Sequence, residues 1–183
     1  MARASEQDHV DRFLASLGDK VPELDFAVEG IVDRIMGLSQ RLKHSMEDTL
    51  TRFGLNYGEW KVLGSLVHAG PPHRRSPGWL SERHGLSSGA MTNRLDQLEK
   101  AGFVRRLPDP DDRRGLQIEL TDEGMQVWRD AAGTQAVKEA LIASALTDRE
   151  KEQLNALLRR LMLEFERREG ADPRETKKTA GSG

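Results

Sequence analysis

Between Ser76 and Gly124 the chain lays down two short helical patterns separated by a glycine, then a twofold alternation folded about a charged turn. Few folds accept that order. Ser76-Pro77 offers an N-cap followed by a proline at the first helical position, where the missing N–H costs nothing. A short helix is predicted from there through Leu80 to about His84. Gly85 permits a tight turn, and Ser87 or Ser88 can cap a second helix. That second helix runs about 14 residues, roughly 20 Å, to a stop at Gly102. It turns Met91, Leu95 and Leu98 to one face at helical spacing. Ser88, Gly89, Thr92 and Asn93 are then outward, small and capable of hydrogen bonding. Such side chains allow close approach to base edges in a major groove, and Arg94 can reach a base edge or a phosphate.

Beyond Gly102, Phe103 to Leu107 faces Leu116 to Leu120 across the turn Pro108 to Gly115. Leu116, Ile118 and Leu120 alternate with Gln117 and Glu119, predicting a half-buried antiparallel hairpin. At its tip Arg113 and Arg114 sit beside Asp109, Asp111 and Asp112. Two guanidinium groups oppose a cation, so the acids are not read as a metal site. An Asp, Asp112 for preference, is expected to hold one arginine while the other enters a narrow minor groove, where negative potential is enhanced.

Amphipathic helices flank this module. Pro22 to about Phe53 carries Leu24, Val28, Ile31, Ile35, Leu38, Leu42, Met46 and Leu50 at threes and fours. Thr121-Asp-Glu caps a helix through Met125 and Trp128 that is expected to break near Gly133 and resume towards Leu141. Thr147-Asp-Arg-Glu150 is a capping box opening a helix with Leu154, Leu157, Leu158, Leu161, Met162 and Phe165 on one side. These stripes exceed what so small a module can cover, which points to a second copy of the chain. Asp8 to Leu17 is a further short helix, expected either to pack across such a dimer or to fray. The division that follows is an N-terminal helical extension over 1–20, a dimerisation region over 21–55 and 121–170, a DNA-binding domain over 56–120, and a flexible tail over 171–183. The fold class is mainly α with a small β-hairpin wing.

Leu80-Ser-Glu-Arg, the run Ser87-Ser-Gly-Ala-Met-Thr-Asn-Arg-Leu-Asp-Gln-Leu-Glu-Lys-Ala-Gly-Phe-Val, Asp109-Pro-Asp-Asp-Arg-Arg-Gly and Leu120-Thr-Asp-Glu-Gly124 together resemble the MarR transcriptional regulators. The resemblance implies a homodimeric winged helix-turn-helix protein on double-stranded DNA, probing the minor groove with Arg114, oriented by Asp112. It also implies a small aromatic or carboxylate effector that releases DNA. The chain further resembles the family's urate-responsive branch in its N-terminal extension and its Ser-Gly-Ala-Met-Thr block. That branch carries a tryptophan in the extension and an acid where this chain has Lys61. Neither holds here, which points away from urate and towards a carboxylate or another anion.

Composition bounds these readings. The net charge is −2 and there is no cysteine among 183 residues. A basic face would have to be local, built from Arg83, Arg94, Arg105, Arg106, Arg113 and Arg114, with His73-Arg74-Arg75 adding phosphate contacts. Phosphate contacts are also expected of Arg105. Near-neutral charge motivates an alternative, a winged-helix dimer that docks protein without specific DNA binding. Thiol oxidation, the trigger in one branch of the family, is chemically impossible without cysteine. With no signal-peptide pattern and no apolar run able to span a bilayer, the chain reads as cytoplasmic. Five histidines without a paired metal spacing, and no phosphate loop or nucleophile elbow, argue against an enzyme, a metal site or a cofactor. An effector pocket is expected where the long helix from Pro22 meets Trp60 and the base of the module, with Arg41, His44, Trp60, His68 and Trp79 as candidates. Trp60 and Trp79 also suit plain core packing.

Overall fold

The computed structural model describes residues 6–110, 112 and 115–170. In chain order the elements are α1 (His9–Leu17), a 3-10 turn (Gly18–Lys20), α2 (Phe26–Arg52), α3 (Tyr57–His68), β1 (Arg74–Arg75), α4 (Pro77–His84), α5 (Ser88–Lys100), β2 (Val104–Pro108), β3 (Leu116–Leu120), α6 (Asp122–Ala143) and α7 (Asp148–Glu169). Two compact units are distinguished, one ending at Gln135 and one beginning at Ala136. Among the described residues no helix is long and apolar enough to cross a membrane.

The first unit holds the core. Leu50 from α2, Val62, Leu63 and Leu66 from α3, Leu80 from α4 and Met91, Leu95 and Leu98 from α5 are all at most 1% exposed. Val104, Ile118 and Leu120 close the cluster from the sheet. Local signals set the ends of these helices as expected. Ser76 caps α4 by accepting from the Trp79 N–H, and Gly85 ends it in the left-handed region at φ 61°. Ser87 caps α5, and Gly102 follows its end at φ 78°.

Strands β2 and β3 pair antiparallel as expected, from Val104↔Leu120 to Pro108↔Leu116, one residue along from the expected facing of Phe103–Leu107 with Leu116–Leu120. A third strand was not foreseen: β1 pairs with β3 on its other edge, giving the order β1-β3-β2. Two residues are too few to carry a period. That third strand changes the hairpin's burial. Leu116, expected inward, is 47% exposed, whereas Glu119, expected outward, is 6% exposed. Glu119 is covered because arginines approach it from both neighbouring strands, Arg74 on β1 and Arg105 on β2.

Two helical expectations are corrected. α6 runs without a break through Gly133; one glycine costs a helix only about 1 kcal/mol, which its other residues absorb. The N-terminal extension does not fray: α1 docks on α2 of its own chain. Asp8 and Asp11 form its capping box and both ion-pair with Arg34 of α2, at 2.9 and 2.6 Å. Val10 is 2% exposed. The side chains of Leu14 and His9 lie over Gly30 and Gly37, where no Cβ stands in the way. The backbone N–H of Asp11, followed by Arg34, holds the Asp8 carboxyl at about 2.

The second unit consists of the end of α6, a turn and α7. Thr147 and Glu150 complete the expected capping box, and no residue of α7 is buried.

Candidate nucleic-acid interface

The exposed face of α5 follows from its own period. Once Met91, Leu95 and Leu98 are spent on the core, Ser88, Gly89, Thr92 and Asn93 are left exposed. Gly89 has open space where a Cβ would stand. The helix therefore presents short polar groups on a surface a nucleic-acid groove could approach closely.

The arginines behave less simply, and the structure differs from the expected basic face. Arg94 does not project with Thr92 and Asn93. It turns back onto α3, where a Cβ at Gly58 would lie 2.5 Å from its guanidinium carbon. Arg106 of β2 binds two acids of α5, Asp96 at 2.6 Å and Glu99. It thereby ties the hairpin to the helix. Arg105 is bonded to Glu119 while its side chain stays 63% exposed. In the expected phosphate cluster, Arg74 also serves Glu119, Arg75 lies over the Trp79 ring at 5.2 Å, and His73 Nδ1 is 3.2 Å from the Leu66 carbonyl oxygen. These arginines shape the scaffold as much as they charge it. A net charge of −2 is compatible with so many because acids consume them locally.

At the turn, Asp109 N–H donates to the Gly115 carbonyl at 3.0 Å and Gly115 N–H to the Asp112 carbonyl at 2.8 Å. Asp112 is exposed. Asp111, Arg113 and Arg114 lie outside the described residues, and with them the expected pairing of Asp112 to an arginine.

Glu119 is the acid on which the sheet converges. Its carboxyl is held below the ordinary range, first by the hydrogen bond from Arg105 and then by that from Arg74. A carboxyl depressed on folding stabilises fully above its unfolded value near 4.3 and loses that contribution as pH falls through the lower folded value. Comparing wild type with Glu119→Gln in urea should therefore show a gap in midpoint that narrows from about pH 6 to about pH 3. A gap independent of pH would remove Glu119 from this role.

A cavity of about 600 Å³ opens on the flank of the module. Such a volume suits a drug-sized ligand. Of the five expected pocket residues it gathers three, Trp60, His68 and Trp79. Arg41 and His44 do not line it. They lie on an exposed face of α2, where His44 is 3.7 Å from Asp48 one turn on. The cavity is instead walled by α3, α4, β1 and the start of α6. Trp128 of α6, read from the sequence only as part of a helical stripe, stacks on Trp60 with centroids 6.0 Å apart. It approaches because Gly64 has no side chain, its Nε1 lying 3.2 Å from where a Cβ would be. The Nε1 donors of Trp60 and Trp128 are buried without a hydrogen-bond partner among the described residues. Leaving a buried donor unmatched costs about 1–3 kcal/mol.

Sequence reasoning also missed the cavity's charge. Lys61, Arg75, Arg83 and His84 line it with His68, and no carboxylate does. Lys61 and Ser65 follow Trp60 and Gly64 by one position, so extending the Trp60-Gly64-His68 spacing by its neighbouring row would have found them. His84 Nε2 lies 3.0 Å from Ser65 Oγ. Burial above all, and then the charges of Lys61, Arg94 and Arg83, push its pKa down.

Known proteins resemble this chain in sequence and fold. The family profile described as MarR family matches residues 55–116, which spans α3 to the start of β3. The HTH-type transcriptional regulator PecS of Dickeya dadantii is 30% identical over 140 residues, 76% of this chain and 84% of that one. The HTH-type transcriptional repressor YetL of Bacillus subtilis is 37% identical over 90 residues, 49% of this chain and 53% of its own. Among solved structures, wild-type MarR of Escherichia coli in its apo form aligns with a TM-score of 0.60 at 26% identity, over 70% of this chain and 94% of that one. The YusO protein of Bacillus subtilis aligns at 0.66 with 24% identity, over 75% and 95%; that likeness concerns the fold alone.

Proposed function

This chain is a member of the MarR family of transcriptional regulators, and on that premise we propose that it acts as a homodimeric repressor released from its operator by a small aromatic or otherwise anionic ligand. The observation that carries the reading is the exposed face of α5, with Ser88, Gly89, Thr92 and Asn93 outward and the helix bolted to the following hairpin through Arg106. Residues 56–120 form the DNA-binding domain. Residues 21–55 and 121–170 supply the dimer and residues 1–20 an extension; the tail expected over 171–183 lies outside the described residues. A twofold dimer spaces its two reading helices, so the operator is a pseudo-palindrome with half-sites about one helical turn, roughly 34 Å, apart. The effector occupies the cavity beside Trp60. One wall of that cavity is α4, which packs on α5, so a ligand there can alter the pitch or spacing of the reading helices.

Footprinting on the DNA upstream of the protein's own coding sequence is the test. A protected pseudo-palindrome with steeply salt-dependent affinity is expected; protein capture without any protected DNA would instead favour a protein adaptor. In the same assay Arg114→Ala should weaken operator binding by about 1–3 kcal/mol, roughly tenfold to a hundredfold, and leave the dimer intact in light scattering. Unchanged affinity would sink the wing assignment.

A further inference from the structure

The side chains around His84 form a cationic group on one wall of the cavity. Arg83 is its neighbour on α4, and the charges of Lys61 on α3 and Arg94 on α5 act on it. Arg75 on β1 and His68 on α3 line the same cavity. No carboxylate is among the lining residues. Two of these cations have aromatic neighbours in place of acids: Lys61 lies over the Tyr57 ring and Arg75 over that of Trp79, each at 5.2 Å. A cavity with stacked tryptophans on one side and cations without acids on another is complementary to a planar ring carrying a negative group.

The hydrogen bonds around His84 also say which of its nitrogens is open to a proton. Ser65 Oγ donates to the Lys61 carbonyl at 3.1 Å. With that hydrogen on the carbonyl, the hydroxyl meets His84 Nε2 at 3.0 Å as an acceptor. In that tautomer Nε2 carries the hydrogen of the neutral ring, and Nδ1 is left to accept a proton. Burial and the charges of Lys61, Arg94 and Arg83 disfavour a further positive charge on His84. A carboxylate set among them reverses that balance: it offsets the repulsion and accepts a hydrogen bond from a protonated Nδ1.

We propose that this cavity binds an aromatic carboxylate together with a proton, the carboxylate lying against Lys61, Arg83 and His84 while His84 Nδ1 takes one proton from solvent. No bond in the ligand changes. This rests on the reading of the cavity as the effector site and adds that the response is gated by pH. Affinity rises as pH falls from the bound-state to the free-state pKa of His84, and levels off below the latter, where the ring is already charged. Within that window the dissociation constant changes by about tenfold per pH unit, the slope for one linked proton.

The experiment is calorimetric titration of the full-length protein with 2-naphthoate near pH 7, in buffers of low and high ionisation enthalpy. Wild type should take up protons on binding, at most one per protomer, seen as a buffer-dependent binding heat. His84→Gln should bind with no uptake and a nearly flat pH dependence, and His44→Gln, on the exposed face of α2 away from the cavity, should behave as wild type. Binding without uptake in wild type, or uptake that survives in His84→Gln, would overturn the proton coupling and leave the effector site standing. No binding of 2-naphthoate at millimolar concentration would overturn the effector reading itself, and the coupling with it. The wild-type measurement decides the coupling even if a variant fails to fold.

Discussion

Replacing Gly124 with alanine is expected to destabilise the protein by about 3 kcal/mol, the upper range for forcing atoms into packed space. Gly124 sits in the first turn of α6, where the chain leaves the hairpin. An added Cβ would stand 2.0 Å from the Phe103 carbonyl oxygen and 2.9 Å from Leu120 Cδ1. The obstacle is backbone, and it is pinned: the same Phe103 carbonyl accepts from Thr121 N–H at 3.1 Å. Thr121 Oγ1 meanwhile donates to the Gly102 carbonyl at 2.7 Å and accepts from Gly124 N–H at 3.0 Å. Relief requires moving the root of the wing or the start of α6. Urea unfolding of the two proteins checks this, and an unchanged midpoint would mean the junction is looser than described. Gly58 is the internal control. Its added Cβ meets only the guanidinium of Arg94, a movable group, so Gly58→Ala should hold or gain about 0.5–1 kcal/mol as a helical alanine.

The second large effect concerns assembly. Leu157 and Leu161 of α7 are 55% and 43% exposed, beside Leu154 at 44% and Phe165 at 62%. Along α2, Val28, Ile31, Ile35 and Leu38 are 39–54% exposed. In the proposed homodimer each of these stripes is a surface for a second copy to cover. Leu157→Asp with Leu161→Asp would place unpaired carboxylates in that interface, where desolvation penalises each. Light scattering should report a monomer, while circular dichroism keeps the helix content of the first unit. Operator affinity should then fall by at least about a hundredfold, because two linked reading helices gain 10²–10⁴ over one. A double variant that stays dimeric would show that the stripe on α7 is not the interface.

Much of the reading module was legible because its signals are local. The caps at Ser76 and Ser87 and the glycines at 85 and 102 act within one helical turn, and the structure has them where the spacing implies. The core triad Met91, Leu95 and Leu98 follows from period alone, since only one helix face can be buried. The pocket was half legible. Trp60, His68 and Trp79 do meet; Arg41 and His44 were drawn in by an assumed approach of α2. Arg83 follows Trp79 by one turn on α4 and was within reach of that period; Trp128 comes from α6, far away in sequence, and no period links it to Trp60.

By itself the sequence determined the helices and the hairpin of the reading module, the caps that bound them, and that one face of each must be covered; it did not determine the two-residue β1 or the continuity of α6 past Gly133. What it did determine depends on backbone propensity and side-chain period, which neighbours within a few residues decide. Only the tertiary structure decided how charge is spent. The outward-reading positions Arg74, Arg105 and Arg106 turn out to answer Glu119, Asp96 and Glu99. Arg94 folds back over Gly58, and an acid-free cationic cavity forms around His84. The physical reason is distance: a Coulomb interaction depends on separation in space, and the residue number says nothing of that until the chain has packed.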